Sequence, residues 1–131
     1  LANRISEFDR DARLKGAYKF NEYKGKEIFG KTLGIVGLGD IGKKVARGAT
    51  GFNMKVLGLN RSKIPVQGVA LVELDELLKE SDVIAVCAPL TNETKNMISR
   101  KEIAKMKDGV ILVNTSREEL VDKSAVIEGL D

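Results

Sequence analysis

The sequence predicts a doubly wound α/β fold, with a parallel sheet between two layers of helices. Three observations carry the prediction: four short, continuous apolar runs, amphipathic segments between them, and one glycine-rich turn joining the first run to the first such segment. Strands covered on both faces read as unbroken apolar stretches, whereas a half-solvated sheet alternates apolar with polar.

The runs are LGIV (33–36), KVLGL (55–59), VIAV (83–86) and VILV (110–113). Their starts lie 22 to 28 residues apart, room enough for the crossover a parallel pair requires. After the first run, Ile41, Val45, Ala49 and Phe52 form an apolar helical stripe opposite Lys43, Lys44 and Arg47. Leu74, Leu77 and Leu78 cluster before the third run. Ser99 followed by Glu102 is a capping box, and Asp122 is placed to cap a last helix. Strands alternating with helices give the three-layer α/β/α arrangement.

Residues 1–24 read differently. Leu1, Ile5, Phe8 and Ala12 make a helical stripe, expected to pack on the domain or on a partner subunit, and a loop with Tyr18 and Tyr23 follows. Residues 25–131 form the domain proper. The pattern stops after a helix, where a doubly wound sheet would supply another strand, so the chain is expected to be a fragment of a longer one.

Composition narrows the function. At 131 residues, 43% hydrophobic and 31% charged, the chain has the balance of one globular domain. No run approaches the ~18 apolar residues of a membrane span. The charged start is not a secretory signal, which makes the cytoplasm the default location. The net charge of +3 is scattered, without a basic stripe or interleaved aromatics, so nucleic acid is not expected as a partner. One cysteine excludes an internal disulfide and a Cys-rich zinc site. The absence of histidine excludes Ser-His and Cys-His nucleophilic catalysis and removes the commonest general base.

The glycine turn is Gly37-Leu38-Gly39-Asp40-Ile41-Gly42. A lone G-x-G-x-x-G is weak, but this one follows an apolar strand and opens an amphipathic helix. Gly37 permits the tight turn, Gly39 lets backbone approach a pyrophosphate, and Gly42 lets helix and strand pack closely, as in a Rossmann-type dinucleotide site. The amides and dipole at the helix start favour the anion, so the carboxylate of Asp40 should point away from it. At the end of the second strand, NAD-binding versions place an acid on the ribose hydroxyls. Here the residues are Asn60, Arg61 and Ser62. A guanidinium and no carboxylate favour NADP over NAD. The alternative is a solvated Arg61 beside a neutral Asn60 that still accepts NAD.

The segments GKTLGIVGLGDIGKKVA, VCAPLTNETKNMIS, KMKDGVILVNTSRE and LVDKSAVIEGL resemble, in order and spacing over about residues 25–130, the nucleotide-binding domain of D-isomer-specific 2-hydroxyacid dehydrogenases. The resemblance implies that Cys87, Ala88 and Pro89 border the adenosine side of the cofactor, that Thr94 lies near its ribose–phosphate part, and that Thr115 and Ser116 also belong to the cofactor site. From the residues alone, Thr91 and Asn92 read as a turn and cap cluster, and Cys87 as a small buried hydrophobe. Asn114-Thr115-Ser116-Arg117 matches the family's Asn-Thr-(Ser/Ala)-Arg signature, whose arginine binds the substrate carboxylate and polarises the adjacent carbonyl. A planar, permanently charged fork suits that task, although an exposed charge cluster with Glu118 and Glu119 is the plain alternative.

The resemblance further implies a homodimer, a 2-keto or 2-hydroxy acid substrate, and a proton-transferring glutamate and histidine that lie beyond these residues. The isolated 131 residues are therefore expected to bind dinucleotide without turnover. Glu118 departs from the family's glycine and would strain the backbone if a positive φ were kept. That departure leaves open a non-catalytic relative that senses dinucleotide or binds protein. A third reading, from the likeness of GDIGK to the adenosylhomocysteinase loop, is opposed by APLTNET and NTSRE.

Overall fold

The computed structural model describes residues 2–16 and 24–130. Its centre is a five-stranded, wholly parallel sheet: β1 (Thr32–Val36), β2 (Lys55–Leu59), β3 (Ala70–Leu71), β4 (Val83–Val86) and β5 (Ile111–Asn114), in the order β3-β2-β1-β4-β5. The helices are α1 (Ile5–Lys15), α2 (Asp40–Gly51), α3 (Leu74–Glu80), α4 (Arg100–Ile103) and α5 (Lys123–Glu128). The arrangement is the Rossmann-type fold expected from the sequence. Leu1, Tyr18 and Tyr23, singled out in the lead-in, lie outside the described residues.

Alternate residues of each inner strand feed two cores, one on each face of the sheet. Leu33 and Ile35 pack with Leu38, Ala46, Ala49, Val56 and Ala85 under α2. Val36 joins Leu57, Leu77, Leu78, Ile84 and Val86 on the α3 face. Gly34 lies on the α3 side, where a Cβ would stand 2.6 Å from Leu77 Cδ2. Its missing side chain is what lets α3 settle on β1. Ser81 is fully buried and donates its hydroxyl to the Leu77 carbonyl at 2.6 Å, so it carries no unmet polar group.

Four differences from the expected pattern have physical causes. β3 is only two residues long, too short to print an apolar run, and it is recruited by pairing of Ala70 and Leu71 with β2. β5 starts one residue later than expected and is half-buried along its apolar part, with only β4 beside it among the described residues. On α2 the buried residues are Gly42, Ala46 and Ala49, while Ile41 and Phe52 are 59% and 60% exposed. Small residues bring the helix axis close to the sheet, and the bulky ones are displaced to the rim. On α1, Ile5 is exposed, Phe8 and Ala12 are half-buried, and no residue is fully buried. The stripe therefore does not form a buried seam against the domain.

The two caps form as expected. Glu102 accepts the Ser99 amide at 3.1 Å at the start of α4, and Asp122 accepts the amides of Ser124 and Ala125 at 2.9 and 3.2 Å at the start of α5.

Asp82 ties the amino ends of three strands together. Its amide donates to the Thr32 carbonyl at 2.9 Å, its carboxylate accepts the Thr32 amide at 2.9 Å, and its carbonyl accepts the Ile111 amide at 3.1 Å. Lys107 donates to the same carboxylate at 3.2 Å. The Thr32 amide, and then Lys107, hold the Asp82 carboxyl below its ordinary pKa, against the opposing effect of partial burial. A depressed folded value means that the stabilisation is present above the unfolded pKa and is lost as pH falls through the folded one. Asp82→Asn is expected to cost about 1–2 kcal/mol at neutral pH, discounted for a side chain partly in water. The loss should shrink in acid, as pH falls through the lowered folded pKa and the carboxyl is protonated. Urea melts of both proteins across pH 2–7 measure this; equal stabilities at pH 7 would refute the role.

Candidate functional site

The candidate site residues gather at the carboxyl ends of β1, β2, β4 and β5: most lie in the loops that leave these strands, Asp40, Ile41 and Gly42 on the first turn of α2, and Asn114 at the end of β5. Open parallel sheets bind ligands at this edge, near the point where strand order reverses. The reversal here lies between β1 and β4.

The loop after β1 is built by two glycines. Gly37 has φ +97°, and a Cβ on it would stand 2.7 Å from both the amide nitrogen and the Cα of Ala88. The loops after β1 and β4 therefore meet backbone to backbone, with the Cys87 amide donating to the Val36 carbonyl at 2.8 Å. A Cβ on Gly42 would collide with the Gly37 carbonyl, so the first turn of α2 sits directly on the loop. Gly39 differs from both: apart from its own residue and its two chain neighbours, no heavy atom lies within 4 Å of where its Cβ would be. The space beside the start of α2 is therefore open. No side chain caps that start, in contrast to α5. The first amides of a helix have no intrahelical partner and are left for solvent or an anion. The loop thus fits a dinucleotide phosphate on its own geometry. Leu38 contributes only backbone there, since its side chain is buried in the core against Gly58. Asp40 and Ile41 are exposed on the first turn.

At the end of β2, Asn60 is half-buried and donates from Nδ2 to Ser62 Oγ at 2.7 Å. Arg61 is exposed, and its guanidinium lies 3.7 Å from the carboxylate of Glu93 in the loop after β4. In that loop Ala88 is buried and Cys87 half-buried, with Cys87 Sγ 3.7 Å from Thr115 Oγ1. Pro89 is exposed, and its carbonyl accepts the Thr94 hydroxyl at 2.7 Å. The same hydroxyl accepts the Thr91 amide at 2.8 Å. Thr94 thus closes the turn that begins at Thr91, the residue read with Asn92 as a turn and cap cluster.

The loop after β5 presents Arg117. Asn114 stitches it from both sides: Oδ1 accepts the Ser116 amide at 2.9 Å, and Nδ2 donates to the Arg117 carbonyl at 2.9 Å. Thr115 donates its hydroxyl to the Val86 carbonyl at 3.3 Å. Beyond Arg117 a single 3-10 turn, Glu118–Leu120, buries Leu120 completely and bonds to the strand-like segment at Asn96 and Ile98. Arg117 itself is exposed and pairs with no carboxylate among the described residues, neither Glu118 nor Glu119 included. The charge-cluster alternative thus has no ion pair behind it. Glu118 opens the 3-10 turn and is absent from the positive-φ positions, so the strain expected of a residue replacing glycine does not arise.

Two residues of this edge carry more than sequence reasoning assigned them. Asn114 was legible, because asparagine readily bonds backbone two residues on. Glu93 was not, because nothing local links it to Arg61, 32 positions away. Among the described residues, no helix is long and apolar enough to cross a membrane.

Known proteins share this architecture. The family model for the D-isomer specific 2-hydroxyacid dehydrogenase, NAD binding domain, matches residues 1–131. A hydroxypyruvate reductase of Thermotoga maritima is 46% identical over 118 residues, a match covering 87% of this chain and 38% of the relative. Among solved structures, D-lactate dehydrogenase with NAD+ from Lactobacillus jensenii superposes with a TM-score of 0.91 at 37% identity, covering 98% of this chain and 40% of that one. An acyclic imino acid reductase in complex with NADPH and D-Arg gives 0.91 at 37% identity, covering 97% and 41%. The chain thus spans well under half the length of the proteins it matches. Because the match runs through every strand, the glycine loop and the Asn114–Arg117 loop alike, the chain belongs to the family of NAD-binding domains of D-isomer specific 2-hydroxyacid dehydrogenases.

Proposed function

We propose that this chain is the dinucleotide-binding part of a reductase that delivers hydride from NADPH to the keto carbon of a 2-keto acid. Residues 25–131 form the binding unit, and residues 1–24 lead into it. One observation carries the reading: the uncapped start of α2, the open space over Gly39 and the unpaired guanidinium of Arg117 share one edge of the sheet. The phosphates would rest on the α2 amides and the loop of Gly37 and Gly39. The dinucleotide, when bound, supplies the hydride. Arg117 would hold the substrate carboxylate in two hydrogen bonds, which fixes the keto carbon for attack and draws electron density from its carbonyl. Asn114 keeps that loop in register. The 131 residues hold no histidine, so they do not supply the commonest proton donor for such a step.

The cofactor choice rests on Asn60, Arg61 and Ser62. Structures of similar likeness hold NAD+ in one case and NADPH in the other, so the scaffold accommodates both. Our reading of the preference rests on the end of β2. Without an acid on the ribose, and with a guanidinium able to pair a phosphate, it favours the 2′-phosphorylated form. The substrate class is supported by the relatives, one of which is a hydroxypyruvate reductase. The exposed Glu118 and Glu119 beside Arg117 favour a second reading, a dinucleotide-sensing module that reduces nothing.

Fluorescence titration with NADPH and NADH separates the cofactors. NADPH is expected to bind more tightly, and Arg61→Ala to weaken it about tenfold while leaving NADH unchanged, the size of one partly solvated phosphate contact. A clear NADH preference in the unaltered protein would overturn the assignment.

Steady-state kinetics test the catalytic role. In the full-length protein, Arg117→Ala is expected to lower kcat/KM for hydroxypyruvate at least about a hundredfold, with the NADPH Kd unchanged. The isolated 131 residues should bind NADPH and reduce nothing. Full activity in the variant sinks the role of Arg117, and a full-length protein that binds dinucleotide but reduces no 2-keto acid supports the sensing module instead.

A further inference from the structure

We propose that Glu93 is a specificity-determining residue for the dinucleotide, one that works against a 2′-phosphate by occupying Arg61. The inference rests on the assignment of Arg61 to that phosphate.

Because β1 lies between β2 and β4, the loops that follow those two strands stand on either side of the glycine loop. They are joined across the gap by a single charge contact, 3.7 Å between Arg61 Nη1 and Glu93 Oε2. Both side chains are largely in water, 89% and 78% exposed, and among the described residues neither has another partner. The contact therefore fills no buried gap and satisfies no buried group. Both charges are nonetheless presented from fixed turns. The Asn60–Ser62 bond closes the turn after β2, and the Thr94 hydroxyl, between the Pro89 carbonyl and the Thr91 amide, closes the turn that carries Glu93.

A dinucleotide seated over the glycine loop places its adenosine ribose at the end of β2. A phosphate on the 2′ oxygen then meets the cation with a carboxylate already beside it. Either Arg61 leaves Glu93, or two anions share one guanidinium. Both outcomes weaken the 2′-phosphorylated ligand. A ribose with a free 2′-hydroxyl brings no such charge, so NADH is indifferent to Glu93. An exposed pair is a weak competitor, which sets the effect at a few-fold rather than at an all-or-none switch. Glu93 thus trims a preference that Arg61 creates.

The test is the pair of dissociation constants, NADPH and NADH, for Glu93→Gln, Arg61→Ala and the double variant. Glu93 is exposed, so its replacement leaves the core untouched. In Glu93→Gln, NADPH is expected to bind roughly threefold to fivefold more tightly and NADH within about twofold of the parent. The gain should shrink in roughly 0.5 M salt, where exposed charges are screened, and should be smaller in the Arg61→Ala background, where no cation remains to be released. An unchanged NADPH constant, or equal tightening of both ligands, overturns the role of Glu93. Should Arg61→Ala abolish the NADPH preference while Glu93→Gln does nothing, Arg61 stands and only Glu93 falls. Should Arg61→Ala leave NADPH untouched, the underlying assignment fails.

Discussion

The close approach of backbone to backbone at Gly37 is the constraint from which the rest of the ligand edge follows. A side chain there would occupy the space of the Ala88 main chain, and φ of +97° would strain any residue but glycine. Closing that gap places the loop after β1 against the loop after β4. The Gly37 carbonyl in turn fixes the start of α2, because Gly42 alone offers no atom to push it away. The helix is thereby held with its first amides over the sheet edge. The binding geometry arises from the same contacts that pack the fold, and it needs no polar side chain to build it.

The opposite end of the sheet is organised by charge rather than by missing atoms. The Asp82 carboxylate accepts the Thr32 amide of β1 and the Lys107 cation of the segment leading to β5, and its carbonyl accepts the Ile111 amide of β5, which ties three strands together at their amino ends. The Asp82 ties and the candidate ligand loops therefore sit at opposite ends of the same strands, the loops at the carboxyl ends where open parallel sheets bind ligands. The ligand edge is left with exposed charges, Arg61 in one long contact with Glu93 and Arg117 with no carboxylate partner among the described residues. Such groups add little to stability, and that leaves them free to meet an anion.

Arg117 owes its position to its neighbours. Asn114 bonds both the turn before it and the carbonyl of Arg117 itself, and Leu120 buries the turn after it. Glu118 fits this arrangement without backbone strain because the chain enters a 3-10 turn at that residue. What remains unusual about the two glutamates is their charge beside the arginine we propose as the anion site. It is a matter of electrostatics, not of conformation.

The four long strands, the glycine turn and both helix caps were legible because each is a local pattern: an apolar run, a spacing of glycines, a serine three residues before a glutamate. β3 was not, since two residues print no pattern and the strand exists only because β2 offers an edge. The face of α2 was misread for a related reason. Periodicity finds the largest apolar residues, but close packing on a sheet selects the smallest, and only the approach of helix to strand decides between them. The chain by itself determined the order of elements and the chemistry available at their ends, because both are written in residues close together in sequence. Tertiary structure alone decided that Thr94 is spent on its own turn, that Arg117 stands free of its adjacent glutamates, and that Arg61 meets a carboxylate from another loop. These are relations between side chains whose distances depend on how strands far apart in sequence are laid side by side.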